Sequence, residues 1–177
     1  MPRRYGRTSL RSPGYTPLMS PNQSQALRQL LQVQRIASLG TLHDGEPFVS
    51  MVPFALLPAG AGFVIHVSQL ASHTKDMLES SRVSLLVVAP DTPDTPAQAL
   101  ARVTIQGQAE RVPPSAPGYT AAREAYLSRF PQAAGLFDMA DFSPFAIRPS
   151  SIRFVAGFAQ AMTLTAEAFA TAVNTAP

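Results

Sequence analysis

The stretch FVIHVSQLASHTKDMLESSRVSLLVVA, residues 63–89, decides the fold. Its apolar first part, 63–67, is strand-like, and residues 70–80 have the spacing of a short helix. Its last part, 82–89, is a dense run of β-branched residues that is typical of a strand buried on both faces. The stretch therefore predicts a strand, a short helix and a second strand.

The junction between the first strand and the helix, residues 66–76, carries polar side chains in an unusual density. Unpaired backbone N–H groups and the positive end of the helix dipole make such a junction a natural anion site. Hydroxyl groups and positive charge would add donors for a phosphate, and the candidates are Ser68, Ser72, His73, Thr74 and Lys75. The alternative is that Ser72 only caps the helix and that the polar groups are solvated.

Upstream of this stretch the pattern predicts one helix and a β-meander. Apolar residues recur at helical spacing over 23–36, with Asn22 or Ser24 available as the cap. Strand-like runs separated by turn sequences follow it. The runs are 37–42, 48–57 and 63–67, and the turns are 43–45 and 58–62.

Downstream, a proline-rich segment over 91–98 cannot pair in a sheet and is expected to be a loop. A long strand over 101–112 follows, in which Gly107 suggests a bulge. The remaining predicted elements are a helix over 116–129, a helical stretch after Pro131, strands over 142–148 and 152–164, and a helix from Thr165.

The order of these elements favours a mainly β fold with peripheral helices, of the α+β class. Most strand neighbours are joined by short turns, so the sheet should be antiparallel and closed or nearly closed. We expect one domain over 23–177 behind a disordered basic N-terminal tail over 1–22, in which Met19 is a possible true start.

Composition excludes several classes of protein. Four of the fourteen basic residues lie in the first eighteen positions, which leaves ten basic against eleven acidic residues and no basic face for nucleic acid. No apolar run is long enough to cross a membrane and no signal peptide is evident, so we expect a soluble, cytoplasmic protein. The absence of cysteine rules out disulfides and thiolate metal sites.

Common catalytic and metal motifs are missing. The three histidines, His43, His66 and His73, do not have metal-ligand spacing, and we expect no metal site. The chain has neither a G-x-S-x-G elbow nor a G-x-G-x-x-G loop, which argues against a serine hydrolase and a Rossmann dinucleotide site. No general acid or base can be named.

Several blocks, taken in order, resemble the pyridoxamine 5′-phosphate oxidase-like FMN-binding split β-barrels, within them the haem-utilisation (HugZ-like) branch. The resemblance covers about residues 27–164. Its blocks are RIASLGTLHDGEPFVSMVPFAL (35–56), IHVSQLASHTKDML..SRVSLLV (65–87), RVTIQGQAERV (102–112), AYLSRFPQA (125–133) and DFSPFAIRPSSIRFVAGFAQA (141–161).

This resemblance implies an antiparallel split β-barrel of the FMN-binding type and a homodimer with FMN in the subunit interface. It implies that the second strand lines the isoalloxazine ring through Ser50, Met51, Val52 and Pro53. The junction would be formed by His66, Val67, Ser68, Ser72 and His73, with Thr74 and Lys75 beside it. Arg102 falls where the oxidases use a glutamine near the ring, so it could stabilise negative charge at the flavin pyrimidine edge.

The implied function is an FMN-dependent oxidoreductase acting on a small molecule that the sequence does not identify. The R-x-H-D-R substrate motif of the true oxidases is missing, with Gly157–Gln160 in the corresponding region, so vitamin B6 oxidation is not expected. Two alternatives remain open at this point: a haem-binding or haem-degrading protein on the same barrel, and a non-catalytic flavin-binding dimer.

Overall fold

The computed structural model describes residues 19–174. Most of the predicted basic tail falls on residues 1–18, outside this described part, whereas Pro21 and Asn22 already belong to the first helix. Within the described residues, no helix combines the length and the apolar character that crossing a bilayer requires. The predicted domain therefore begins at least two residues earlier than expected.

Between residues 19 and 174 the chain forms a series of strands and four peripheral helices. The helices are α1 (Pro21–Val33), α2 (Ser72–Glu79), α3 (Tyr119–Arg129) and α4 (Ala166–Asn174). The strands are β1 (Ile36–His43), β2 (Glu46–Pro53), β3 (Ala55–Leu56), β4 (Phe63–Ser68), β5 (Arg82–Val88), β6 (Arg102–Arg111), β7 (Phe142–Val155) and β8 (Ala161–Leu164). Short 3-10 turns cover Pro58–Gly60, Ala97–Ala99 and Pro131–Asp138.

All strand pairs of the sheet are antiparallel, which confirms the predicted fold class. The strand order is β2-β1-β5-β6-β7-β4-β3, and β8 adds to β7. The two ends of this order also approach each other, because β2 contacts β4. The sheet is thus curled into a barrel-like half-shell, whose concave side holds the core.

The main core fills the concave side of the sheet and is covered by α1 and α4. Side chains alternate between core and surface along each strand, so one face of β1, β5 and β6 supplies apolar residues. Its largest fully buried members include Phe54, Phe63, Phe145, Phe154, Phe169, Leu27, Leu31, Leu39, Leu85 and Ile105. Burial of these large side chains is the main source of stability.

A second, smaller cluster lies on the opposite side of β4, beneath α3. Val64 from β4 packs there with Ala122, Tyr126 and Phe130, all of them buried. Every residue from Phe63 to Val67 is consequently buried. The strand that is covered on both faces is therefore β4.

The prediction that β5 is buried on both faces is wrong for this chain. Buried Val83, Leu85 and Val87 alternate with Ser84, Leu86 and Val88, which reach the other face and remain partly exposed. A β-branched run indicates a strand, but it does not fix how many faces a neighbouring layer covers.

Three further boundaries differ from the predictions. The cap of α1 is Ser20, whose Oγ accepts from the Gln23 backbone while the Gln23 side chain accepts from the Ser20 N–H, so neither Asn22 nor Ser24 caps the helix. The predicted strand 48–57 is split at Phe54, between β2 and β3. β7 runs without interruption through the predicted gap between 148 and 152.

Two arginines tie α1 and α3 together at their C-terminal ends. The Arg129 guanidinium donates to the carbonyl oxygens of Gln32, at 3.2 Å, and Gln34. The Arg35 guanidinium donates to the Arg129 carbonyl oxygen at 3.1 Å. Each arginine thus supplies positive charge to the carbonyl-rich end of the other helix, where a cation is stabilising.

The bulge expected at Gly107 is present, because the β6–β7 register shifts between Gln106 and Gly107. A Cβ at Gly107 would lie 2.3 Å from the Arg148 carbonyl oxygen, closer than side-chain carbons come to backbone. Gly107→Ala should therefore destabilise the protein by about 1–3 kcal/mol, measured by urea unfolding. Gly118→Ala is the control, since nothing lies within 4 Å of its Cβ position. Equal stability of the two variants would contradict this packing argument.

Candidate functional site

The start of α2 is an open helix end. The N-cap is Ala71, and no side chain caps the helix. Ser72 is exposed and its hydroxyl makes no hydrogen bond among the described residues. The interpretation that Ser72 only caps the helix is therefore wrong. The backbone N–H groups of the first turn that lack a side-chain cap remain available to a ligand.

Two of the predicted phosphate donors are instead used to build the junction. The Ser68 hydroxyl donates to the Asp141 carboxylate at 3.0 Å and accepts from the Leu70 N–H at 3.1 Å. The buried Thr74 hydroxyl donates to the Ser68 carbonyl oxygen at 2.7 Å. Both hydroxyls hold the turn in shape, and Asp141 adds negative charge beside it. The junction offers fewer phosphate donors than the sequence suggested.

His73 and Lys75 are the positively chargeable residues that remain at this helix end. Lys75 is exposed, and the half-buried His73 makes no hydrogen bond to another described residue. Desolvation lowers the pKa of His73, although the nearby Asp76 carboxylate acts in the opposite direction. His73 is therefore mostly neutral at pH 7 and keeps a free nitrogen lone pair, which suits a metal ion better than a phosphate.

A buried carboxylate next to this helix end was missed by the sequence analysis. Asp76 accepts from the Thr41 hydroxyl at 2.7 Å and lies 2.7 Å from Nδ1 of His43. Desolvation raises the pKa of Asp76, but the hydrogen bonds from His43 and Thr41 outweigh it and the pKa is lowered overall. The same hydrogen bond raises the pKa of His43. The three side chains fasten α2 to the end of β1.

His66 does not face the start of α2. It lies on the α3 side of β4, where its ring stacks on Phe137 at 3.9 Å between centroids and touches Tyr126 and Phe142. Only 5 % of His66 is exposed, and both ring nitrogens are buried without a partner. Burial lowers its pKa to about 4. Its neighbour Val67 points the other way, into the main core.

The four predicted ring-lining residues of β2 divide between two faces of the sheet. Met51 and Pro53 share the outer face with their register partners Ser38 and Ile36. Val52 is buried in the main core. Ser50 points inward as well, and its hydroxyl is buried without a hydrogen-bond partner. A contiguous segment of a strand cannot line one surface with every residue.

Arg102 is held by the loop that precedes it. Its guanidinium donates to the carbonyl oxygens of Gln98 at 3.2 Å and Leu100 at 3.0 Å. These bonds fix the end of the 3-10 turn against the start of β6. The structure thus gives Arg102 a structural role in the chain, and its predicted role beside a flavin stays a prediction.

An apolar surface occupies the outer face of the sheet. Ile36, Met51, Val49 and Leu86 are exposed there, Met51 by 60 %. Beside them lies a shallow depression of about 480 Å³ floored by Gly40 and Ser84. Exposed apolar patches of this kind mark contacts with another protein chain or a ligand.

The chain is similar in sequence to the pyridoxamine 5′-phosphate oxidases and to two haem oxygenases. The family model of pyridoxamine 5′-phosphate oxidase matches residues 23–156. The non-canonical haem oxygenase HOZ of Arabidopsis thaliana chloroplasts is 37% identical over 126 residues, which is 71% of this chain and 37% of that protein. The chain thus spans little more than a third of that relative. The haem oxygenase HutZ of Vibrio cholerae is 24% identical over 80% of both chains.

Solved structures give the same picture of the fold. A haem-binding protein from Mycobacterium smegmatis superposes with a TM-score of 0.75 at 32% identity, over 86% of this chain and 62% of that one. An FAD-binding protein from Mesorhizobium loti superposes with a TM-score of 0.56 at 18% identity, over 76% of this chain and 92% of that one. The second likeness concerns the fold alone.

The depressed pKa of His66 makes stability depend on pH. The unfolded chain binds this proton at an ordinary pKa of 6.5 and the folded chain at about 4, so stability is lost as the pH falls between these values. The slope contributed is at most about 1.4 kcal/mol per pH unit. His66→Phe should remove this contribution while preserving the stacking, as measured by urea unfolding at several pH values.

His43→Gln is the matched control, since folding raises the pKa of His43 whereas it lowers the pKa of His66. The raised pKa of His43 gives stability that is present below pH 6.5 and is lost as the pH rises through the folded value. This variant should therefore lose most stability relative to wild type in acid. A His66→Phe variant that parallels wild type from pH 7 to pH 4 would refute the assignment.

Proposed function

The chain belongs to the pyridoxamine 5′-phosphate oxidase family, in its haem-utilisation branch, and from this premise we propose that it is a haem-binding homodimer. The carrying observation is the exposed apolar outer face of the sheet, which contains Ile36, Val49, Met51 and Leu86. Such a surface favours contact with a second subunit. Haem binding rests on a different observation, the unengaged His73 at the start of α2, because the Thr41 side chain that holds α2 points to the core side of the sheet and not to this face. The relatives named as haem proteins support the same choice.

The partner on this face is proposed to be a second copy of the chain. The exposed residues Val49, Met51 and Leu86 carry no charge, and Gly40 and Ser84 beside them allow a close approach of two sheets, with the exposed Arg82 at the edge of the depression. A symmetric contact places the same patch on both sides, so an uncharged patch can pair with itself without like-charge repulsion. The apolar face would then be covered in the dimer.

Of the three histidines, His73 is the one suited to act as an iron ligand. Haem, when bound, would supply an iron atom that a neutral imidazole could hold. His66 is sealed on the other side of β4, and the Asp76 carboxylate raises the pKa of His43, which favours the protonated ring that cannot bind iron. His73 is neutral, half-buried and without a hydrogen bond, and the exposed Ser72 and Lys75 beside it would receive the propionate carboxylates.

A haemin titration tests the proposal. The wild-type protein should bind haemin with a shifted Soret band, and His73→Ala should lose the imidazole-ligated spectrum. His43→Gln should retain the spectrum, because His43 is engaged elsewhere. A wild-type titration without a Soret shift, or an unchanged spectrum in His73→Ala, would contradict the assignment.

The dimer is tested by placing a charge on the apolar face. Met51→Asp buries a carboxylate in the proposed contact and should convert the dimer into a monomer, as measured by analytical ultracentrifugation. Phe158→Asp is the control, because Phe158 is 75 % exposed in the turn between β7 and β8. A monomeric wild type, or a Met51→Asp variant that stays dimeric, would speak against this interface.

The second candidate function is FMN binding, which is also tested by titrating the ligand into the protein. The observation that favours it is the buried Ser50 hydroxyl without a partner, on the strand that the resemblance assigns to the flavin ring. Ser72, His73 and Lys75 at the open helix end would hold the phosphate. Quenching of FMN fluorescence by the apoprotein, weakened in Lys75→Ala, would support it, and absence of quenching would remove it.

A further inference from the structure

A separate cavity lies on the α3 side of β4, away from the start of α2. Its volume is about 200 Å³. Polar and apolar side chains both line it, which suits a ligand with a charged group and an apolar body. Its lining includes His66, Arg111, Phe142, Ser143 and Pro144.

The buried His66 has no structural explanation on its own. Neither ring nitrogen has a hydrogen-bond partner among residues 19–174, and a buried polar group without a partner destabilises the folded protein. A phenylalanine could make the same stack with Phe137 without that cost. His66 lines the cavity, and a small shift of the Phe137 or Phe142 ring packed against it would let a ligand there take up the missing hydrogen bond.

Arg111 supplies positive charge to the same cavity. Its Nε donates to the hydroxyl of the buried Ser143 at 3.1 Å, which fixes the guanidinium at the cavity wall. Its two terminal nitrogens make no hydrogen bond or ion pair with the described residues. Asp138 also lines the cavity, but its side chain is exposed and makes no ion pair with Arg111. A guanidinium with two free nitrogens fits a carboxylate in a two-point contact.

We infer that this cavity binds a small carboxylate with an apolar body. The carboxylate would accept from the Arg111 terminal nitrogens and the His66 N–H, and the apolar part would lie against Phe142 and Pro144. The volume is below the roughly 300–1,000 Å³ of drug-sized pockets, which limits the ligand to about the size of an aromatic acid with a single ring. This site is independent of haem or flavin.

Benzoate is the probe for this inference. Titrated into the full chain and followed by NMR, it should shift the ring signals of His66 and raise the pKa of His66 from about 4, since a nearby carboxylate favours the imidazolium. Arg111→Met and His66→Phe should each weaken binding about tenfold or more, as expected when a charge-assisted hydrogen bond is lost. Arg148→Met, which removes an exposed guanidinium paired with Glu110, should bind benzoate as wild type does.

Three results would overturn the inference. They are His66 signals that do not respond to benzoate, equal affinity in wild type and Arg111→Met, and weakening in Arg148→Met as large as in Arg111→Met. A cavity filled by water alone would give the first result. The haemin spectrum of the same variants separates this site from the proposed function, because Arg111→Met should leave the Soret band unchanged.

Discussion

The double burial of β4 is the constraint on which the rest of the structure depends. One face of the strand closes the main core through Ile65 and Val67, and the other face lies beneath α3 through Val64. Because side chains alternate along a strand, His66 shares the α3 face with Val64, whereas the start of α2 follows the end of β4 at Ser68. The two functional regions therefore adjoin the same strand, one on its α3 face and the other beyond its C-terminal end.

Element types and the antiparallel sheet could be predicted from the sequence, because hydrophobic period and turn residues are local signals. The His43–Gly45 turn and the bulge at Gly107 are examples. Burial on both faces could not be assigned correctly, since β4 and β5 are both apolar and only the packing of α3 distinguishes them. Local patterns specify strands, and the tertiary arrangement decides what covers them.

The sequence named the residues of the predicted site but not their partners in the fold. The resemblance assigns the contiguous residues 50–53 to one flavin-lining surface. Because side chains alternate along a strand, Met51 points outward and Val52 points into the core. The Ser68 hydroxyl is taken by Asp141, 73 positions away, and Asp76 is held by Thr41 and His43 from another element. Hydrogen-bond partners so far apart in sequence are brought together only by the packing of α2 in the folded chain. A pattern in a single sequence does not show that packing.

The arginine–carbonyl hydrogen bonds that join the C-terminal ends of α1 and α3 have a mechanical consequence. α1 packs on the main core. α3 covers the second cluster and contributes to the wall of the cavity beside His66. Since each helix end holds the other, a displacement of α3 pulls directly on α1. These hydrogen bonds thus connect the α1 layer on one side of β4 with the α3 layer on the other side. A movement of α3 is therefore transmitted to α1 on the other side of the strand.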